Sequence, residues 1–472
     1  MEMTERLPKS VLVGGAILAL VVLAYAAFSR PGYFTSQSYL GGLVLLEFLI
    51  AALWLYRRVF FPVVILAFLL AGLDLPVGTA WTAARWVFLT VGAFGGLFII
   101  LKERGHRFGL FHAVAAFAVM TALVSAAVSR YPGVALLKVL SLFLLFLYGA
   151  TGARLAVAGR ENRFFNGLLI GCEIFVGANA LLHVAGIEAM GNPNSLGAVM
   201  GVVCAPILFW GVLLGGERFA QRRRWVLYAA CMYLAFISHA RAGLGAALLS
   251  SGLLCLALRK YKLAIEGSIV IVILVAATAI FRPEAVSSLF TSVVYKNADQ
   301  AQGVLASRES PWRAAVDSIH KQPWFGTGFG TTASGTDAHE EQGKFSSSTT
   351  VTTENGSSYL AIASGVGLLG VLPFGVLLIL LVGKVFRTVA WMRRSGSAVH
   401  PAVPLAMVMC AGMAHAGLED WMFAPGYYLC VFFWSLAFIL VDVAPAARVS
   451  ALAMRWYPRP ARHPVGAVAP GR

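Results

Sequence analysis

His339 stands between Asp337 and the pair Glu340–Glu341 in "GTDAHEEQGK" (Gly335 to Lys344), inside the long polar stretch of an otherwise apolar chain. An imidazole with an ordinary pKa of about 6.5 accepts a proton at neutral pH, and a neighbouring carboxylate makes it more basic. Those properties suit a general base that activates a hydroxyl. They equally suit an exposed loop histidine among solvating acids. His320, and His239 beside Arg241, are rivals for the role. No D-x-D motif or His/Asp/Glu cluster at metal spacing accompanies them, so the sequence suggests neither a bound metal nor a divalent-cation mechanism.

Four cations complete the chemistry-bearing set: Arg85 in "WTAARWVF", Lys138 in "GVALLKVL", Arg241 in "SHARAG" (Ser238 to Gly243), and Arg308. A cation placed inside an apolar helix faces a polar cavity or an anion, or else snorkels to lipid headgroups. For a cluster near one leaflet the anion site is favoured. Arginine matches phosphate oxygens with two parallel hydrogen bonds, which suits a lipid-linked phosphate or pyrophosphate. The implied chemistry is group transfer from a lipid phosphate carrier.

The elements that must position these groups are membrane helices. Hydrophobic residues make up 59% of the 472 and charged residues only 12%. The apolar blocks are long; "VLVGGAILALVVLAYAAF" (Val11 to Phe28) alone is long enough to cross a bilayer. It has the look of a signal peptide, yet similar blocks follow throughout, so it is read as the first span. β-barrel strands are shorter and alternate in hydrophobicity. The expectation is an all-α polytopic membrane protein with spans near 11–28, 39–56, 59–75, 80–101, 108–129, 133–153, 165–187, 195–215, 225–238, 242–258, 263–281, 357–382, 401–417 and 424–444. The two flanking "SHARAG" are short enough for a re-entrant hairpin, so 12–14 helices are expected. The six cysteines all lie in apolar blocks and read as small buried hydrophobes, not as a disulfide or metal framework.

The net charge of +16 is a topology signal, not a nucleic-acid footprint. Of the 37 Lys and Arg, 26 fall in every second connection, the pattern of a cytoplasmic face. Both termini are then inside and residues 282–356 outside. The chain divides into N-terminal helices (1–281), a large outer loop region (282–356), C-terminal helices (357–445) and a cytoplasmic tail (446–472).

The outer region is too long for a connector without a role. "SRESPWRAAVDSIHKQP" (Ser307 to Pro323) repeats Trp312, Val316 and Ile319 at helical spacing and predicts a helix lying on the membrane surface. The Gly/Ser/Thr-rich remainder predicts a loop. "GTGFGTT" (Gly326 to Thr332) looks like a nucleotide-binding glycine loop but follows no strand. Its glycines suit a tight turn that brings the loop back over the membrane.

Taken in order, these pieces resemble the O-antigen ligases, within the O-antigen ligase and polymerase family of multi-span glycosyltransferases. "GNPNSLG" (Gly191 to Gly197), "SHARAG", "SRESPWRAAVDSIHKQPWFGTGFG" (Ser307 to Gly330) and "SSYLAIASGVGLLG" (Ser357 to Gly370) carry the resemblance, over roughly residues 190–375. It implies a GT-C-like fold in a bacterial inner membrane. It also implies transfer of O-antigen polysaccharide from undecaprenyl pyrophosphate to a sugar hydroxyl of lipid A–core at the periplasmic face. By this resemblance His339 takes the acceptor proton. Arg241 and Arg308 hold the pyrophosphate, with Arg85 and Lys138 as further candidates. No cofactor is implied, and the partners are the two lipid-linked substrates and membrane lipids. One departure stands out: where family members often carry His-Asn before the Tyr-Leu of the closing helix, this chain has Gly356 and Ser357 before Ser358 and Tyr359. Either the catalytic His has moved along an expanded loop to His339 or the role belongs elsewhere; the expectation follows the first.

An O-antigen polymerase and a protein O-oligosaccharyltransferase share this chemistry. A transporter or lipid flippase is the alternative of a different class. Glu47 and Glu173 inside spans speak for it, and the lack of an internal repeat speaks against it.

Overall fold

Long apolar sequences with no alternation leave the backbone one way to satisfy its amides in lipid, the helix. The computed structural model describes Leu49, Leu53 and residues 55–72, 78–103, 108–187, 190, 193–281, 306–331 and 356–445, and among these the regular structure is helical, joined by turns, with no strand. The helices are α1 (Tyr56–Ala71), α2 (Gly78–Lys102), α3 (Leu110–Ala127), α4 (Pro132–Val157), α5 (Glu161–Val184), α6 (Asn194–Leu213), α7 (Arg218–Ile237), α8 (Arg241–Ala257), α9 (Tyr261–Phe281), α10 (Ala306–Lys321), α11 (Ser358–Ser395), α12 (Ala402–Ala416) and α13 (Tyr428–Val443). The expected spans near 11–28 and most of 39–56 lie outside the described residues.

Six of these helices are long and apolar enough to cross a membrane, and α8, α12 and α13 are shorter apolar helices. The protein is a multi-pass membrane protein. Large apolar side chains stand exposed along the outer helices, among them Phe98, Leu101, Leu181 and Ile379, as a lipid-facing surface requires. At the centre α13 is buried on every side from Tyr428 to Leu440, which suits a helix that is apolar all round. It packs against α1, α4 and α12, while α11 packs against α3 and α12, and α8 against α12.

"SHARAG" forms the turn between two separate helices, α7 and α8, and α7 alone has 20 residues, about 30 Å at 1.5 Å per residue. Glu173 is buried in α5, where Arg223 (2.7 Å) and Arg224 (3.3 Å) of α7 pair with it. An intramembrane carboxylate with two such partners ties α5 to α7. Glu47 lies outside the described residues. Helix α10 forms where the spacing predicts a helix, with one difference in its buried face. Ala315 is the buried residue, flanked by half-buried Trp312 and Ile319, while Val316 is exposed.

Candidate functional site

Two backbone seams bring the quoted motifs to one end of the bundle. The first joins α6 to α8. A Cβ added at Gly201 would lie 2.0 Å from the carbonyl oxygen of Gly243, and one at Gly243 would lie 2.3 Å from that of Gly197. The two helices therefore touch peptide to peptide, the close approach that small residues permit in membranes. "NPNSLG" and "SHARAG" are thereby held together, and Arg241, the first residue of α8, lies at that contact.

The second seam joins the "GTGFG" turn to α11. That helix is two pieces meeting at Gly367, whose φ of 67° and ψ of −177° break the hydrogen-bond ladder. The freed groups pair with the turn. Thr327 and Gly328 N–H donate to the carbonyls of Ser364 and Gly365 at 2.9 Å each, while Leu368 and Leu369 N–H donate to those of Pro323 (2.7 Å) and Trp324 (3.3 Å). Gly328, at a φ of 110°, lies so close to Ser129 that a Cβ would come within 2.2 Å of its hydroxyl oxygen. Ser129 itself donates to the Thr327 carbonyl at 2.7 Å. The glycines thus make the tight turn the sequence predicts, and that turn docks the segment after α10 onto α11 and the end of α3.

Between these seams lies a charged centre. Arg308 of α10 donates to the carboxylate of Glu419, in the connection from α12 to α13, with only 16% and 22% of the two side chains exposed. Arg241 lies within the electrostatic reach of both. Tyr427 also feels Glu419, and its hydroxyl donates to Ser195 Oγ at 3.3 Å. Ser358, fully buried at the start of α11, fixes this connection. Its hydroxyl donates to the Glu419 carbonyl (2.7 Å) and accepts the N–H groups of Trp421 and Met422 (3.0 Å each). Two guanidiniums and one carboxylate thus share one partly buried site.

A family model described as O-antigen ligase matches residues 226–375. Over those residues the chain is similar to the O-antigen ligase family. No curated protein matches the chain. The matched region runs from within α7 to beyond the α11 kink and contains Arg241, Arg308 and Ser358. It supports a function of the O-antigen ligase or polymerase type.

Of the sequence-predicted site residues, Arg241 and Arg308 are brought together. Arg85 and Lys138 stand around a neighbouring recess instead. Arg85, only 7% exposed, donates to the Gly426 carbonyl at 2.9 Å and stacks near the Trp86 ring. Lys138 donates to the Gly330 carbonyl at 2.6 Å. Trp86, Lys138, Gly330, Asp420, Phe423 and Gly426 line the recess. Each of these two cations thus holds the backbone of a loop that walls it. His339, with Asp337, Glu340 and Glu341, lies outside the described residues, while its rivals His239 and His320 are both exposed. Among the described residues, no group of three His, Cys, Asp or Glu side chains is placed to hold a metal ion.

Glu419, Asp420, Ser358, Ser195 and Tyr427 were not singled out by sequence reasoning. A signal for the first two exists in "GLEDWMFAPGY" (Gly417 to Tyr427): between Glu354 and Asp442 they are the only carboxylates. Sorting charge by Lys and Arg alone passes over them. Ser195 and Ser358 lie inside quoted motifs but were given no role, and Tyr427 carries no local signal, since their partners are 61 to 232 residues away.

Proposed function

We propose that this protein is an O-antigen ligase that moves polysaccharide from undecaprenyl pyrophosphate to a sugar hydroxyl of lipid A–core at the periplasmic face of the bacterial inner membrane. The observation that carries this reading is the convergence of Arg241 and Arg308, from two separate motifs of the ligase-family region, on one partly buried site. In the reaction, His339 takes the proton of the acceptor hydroxyl and the freed oxygen attacks the anomeric carbon. The bond from that carbon to the pyrophosphate oxygen breaks with its electron pair on the leaving group. A single displacement inverts the anomeric centre. Pyrophosphate is a good leaving group, and guanidiniums aimed at its developing charge stabilise the transition state without a general acid.

Purified protein in proteoliposomes, given glycan-linked undecaprenyl pyrophosphate and lipid A–core, tests the reading. Glycan should appear on lipid A–core without ATP or added divalent metal. Lengthening of the donor glycan without use of lipid A–core would instead make the protein a polymerase. Transfer only to an added secreted protein would make it an oligosaccharyltransferase.

A further inference from the structure

The arginine pair is built around a carboxylate, and the proposed transfer changes the charge that the pair must hold. Before transfer both ends of the pyrophosphate are esterified, so each phosphoryl group carries one negative charge. Afterwards the sugar bond is gone, and the freed terminal phosphate gains roughly one further negative charge near neutral pH. Two guanidiniums alone therefore hold the spent carrier more tightly than the substrate, which slows turnover.

Glu419 stands where it opposes that imbalance. It accepts from Arg308 and acts electrostatically on Arg241, the two cations assigned to the pyrophosphate. We infer that Glu419 is a positioning and charge-balancing residue: it aims Arg308 and, by adding one negative charge to the site, lets the spent lipid pyrophosphate leave. This rests on the reading of Arg241 and Arg308 as the pyrophosphate clamp. A guanidinium has five N–H donors in a fork, so it serves a carboxylate and a phosphate at once. The connection carrying Glu419 is pinned to Ser358 through the Glu419 backbone carbonyl, with Ser358 N–H (3.1 Å) and Oγ (2.7 Å) both donating to it. That anchor uses the backbone carbonyl and not the carboxylate, so a change of side-chain charge leaves it in place.

The test is Glu419→Gln, which keeps an acceptor for Arg308 but removes the charge. In proteoliposomes three quantities are measured: the rate of the first turnover, the steady-state rate, and inhibition by added undecaprenyl pyrophosphate. The variant should be inhibited at a product concentration roughly tenfold lower than wild type, the scale of one nearby charge at a partly screened site. Its steady-state rate should fall further than its first turnover, and Glu419→Asp should restore release. Unchanged product inhibition overturns the inference, as does a first turnover that falls in step with the steady state. Wild-type protein that transfers no glycan overturns the proposed function, and this inference with it. Active wild type beside an indistinguishable Gln variant overturns the inference alone.

Discussion

The hydroxyl of Ser358 and the backbone of Glu419 are joined by a 2.7 Å hydrogen bond across 61 residues of sequence. The same oxygen accepts two further N–H groups, so one small side chain fixes where the α12–α13 connection meets α11. Ser358→Ala leaves the N–H groups of Trp421 and Met422 unpaired in a buried site, at a cost of about 1–3 kcal/mol for an unsatisfied group. The expected outcome is a lower melting temperature in detergent together with a loss of transfer. A variant with wild-type melting and wild-type rate would show that the anchor is dispensable.

Arg241→Lys and Arg308→Lys distinguish a phosphate clamp from headgroup anchoring. Lysine snorkels as well as arginine but lacks the fork. Loss of one charge-assisted hydrogen bond, about 1.5–3 kcal/mol, predicts transfer slowed roughly tenfold to a hundredfold in each variant. Arg394→Lys, at an exposed position near the other end of α11, should leave the rate unchanged. Outer variants that match this control would remove the clamp from the mechanism.

His339→Ala should leave the protein folded and inserted while slowing transfer by roughly 10²-fold or more, the contribution of a general base. His320→Ala and His239→Ala, at exposed positions, should cost less. Near-normal turnover in His339→Ala would move the base elsewhere in the site, with Glu340 and Glu341 next to be replaced.

His400, in the connection between α11 and α12, gives a pH dependence of known sign. Burial holds its imidazole down at about 4, and its Nδ1 accepts the N–H of Ala402 at 3.1 Å, which requires an unprotonated nitrogen. The unfolded chain, with an ordinary value of about 6.5, binds the proton first. This contribution to stability is therefore complete above pH 6.5 and is lost progressively as the pH falls towards about 4. His400→Gln keeps an acceptor and does not titrate. The difference in melting temperature between wild type and variant should shift through that window and stay constant above it; a constant difference throughout would exclude His400.

The sidedness expected from the basic residues is open to labelling. Cysteines placed at Ser334 and Ser347 should react with a membrane-impermeant thiol reagent in intact spheroplasts, and one at Ser395 should not. The reverse pattern would invert the protein in the membrane.

The helical membrane class was legible because lipid imposes it on every long apolar block, and "GTGFG" announced a turn because three of its residues needed positive φ. Arg241 and Arg308 were legible as cations in polar motifs. What joins them was not. Glu419 lies in a short connection beyond the ligase-family region, and only the folding of α12 and α13 against α8 and α11 brings it under Arg308. Arg85 reads from sequence as a cation awaiting an anion, yet the carbonyl it holds, that of Gly426, comes from 341 residues away. Charge and spacing along the chain identify which side chains are capable of a role; partners that distant decide which role is taken.

The α6–α8 seam has a mechanical consequence. Where Gly201 meets Gly243 the spacing is set by peptide units in contact, with no side chain whose rotamer can change it. That wall behaves as an anvil of fixed position. Helix α10 is joined to the site by side chains as well, through Arg308 to Glu419 and the Trp312 indole to the Gly356 carbonyl. A change of spacing at the α6–α8 edge therefore requires whole helices to move, because no rotamer stands between the two backbones.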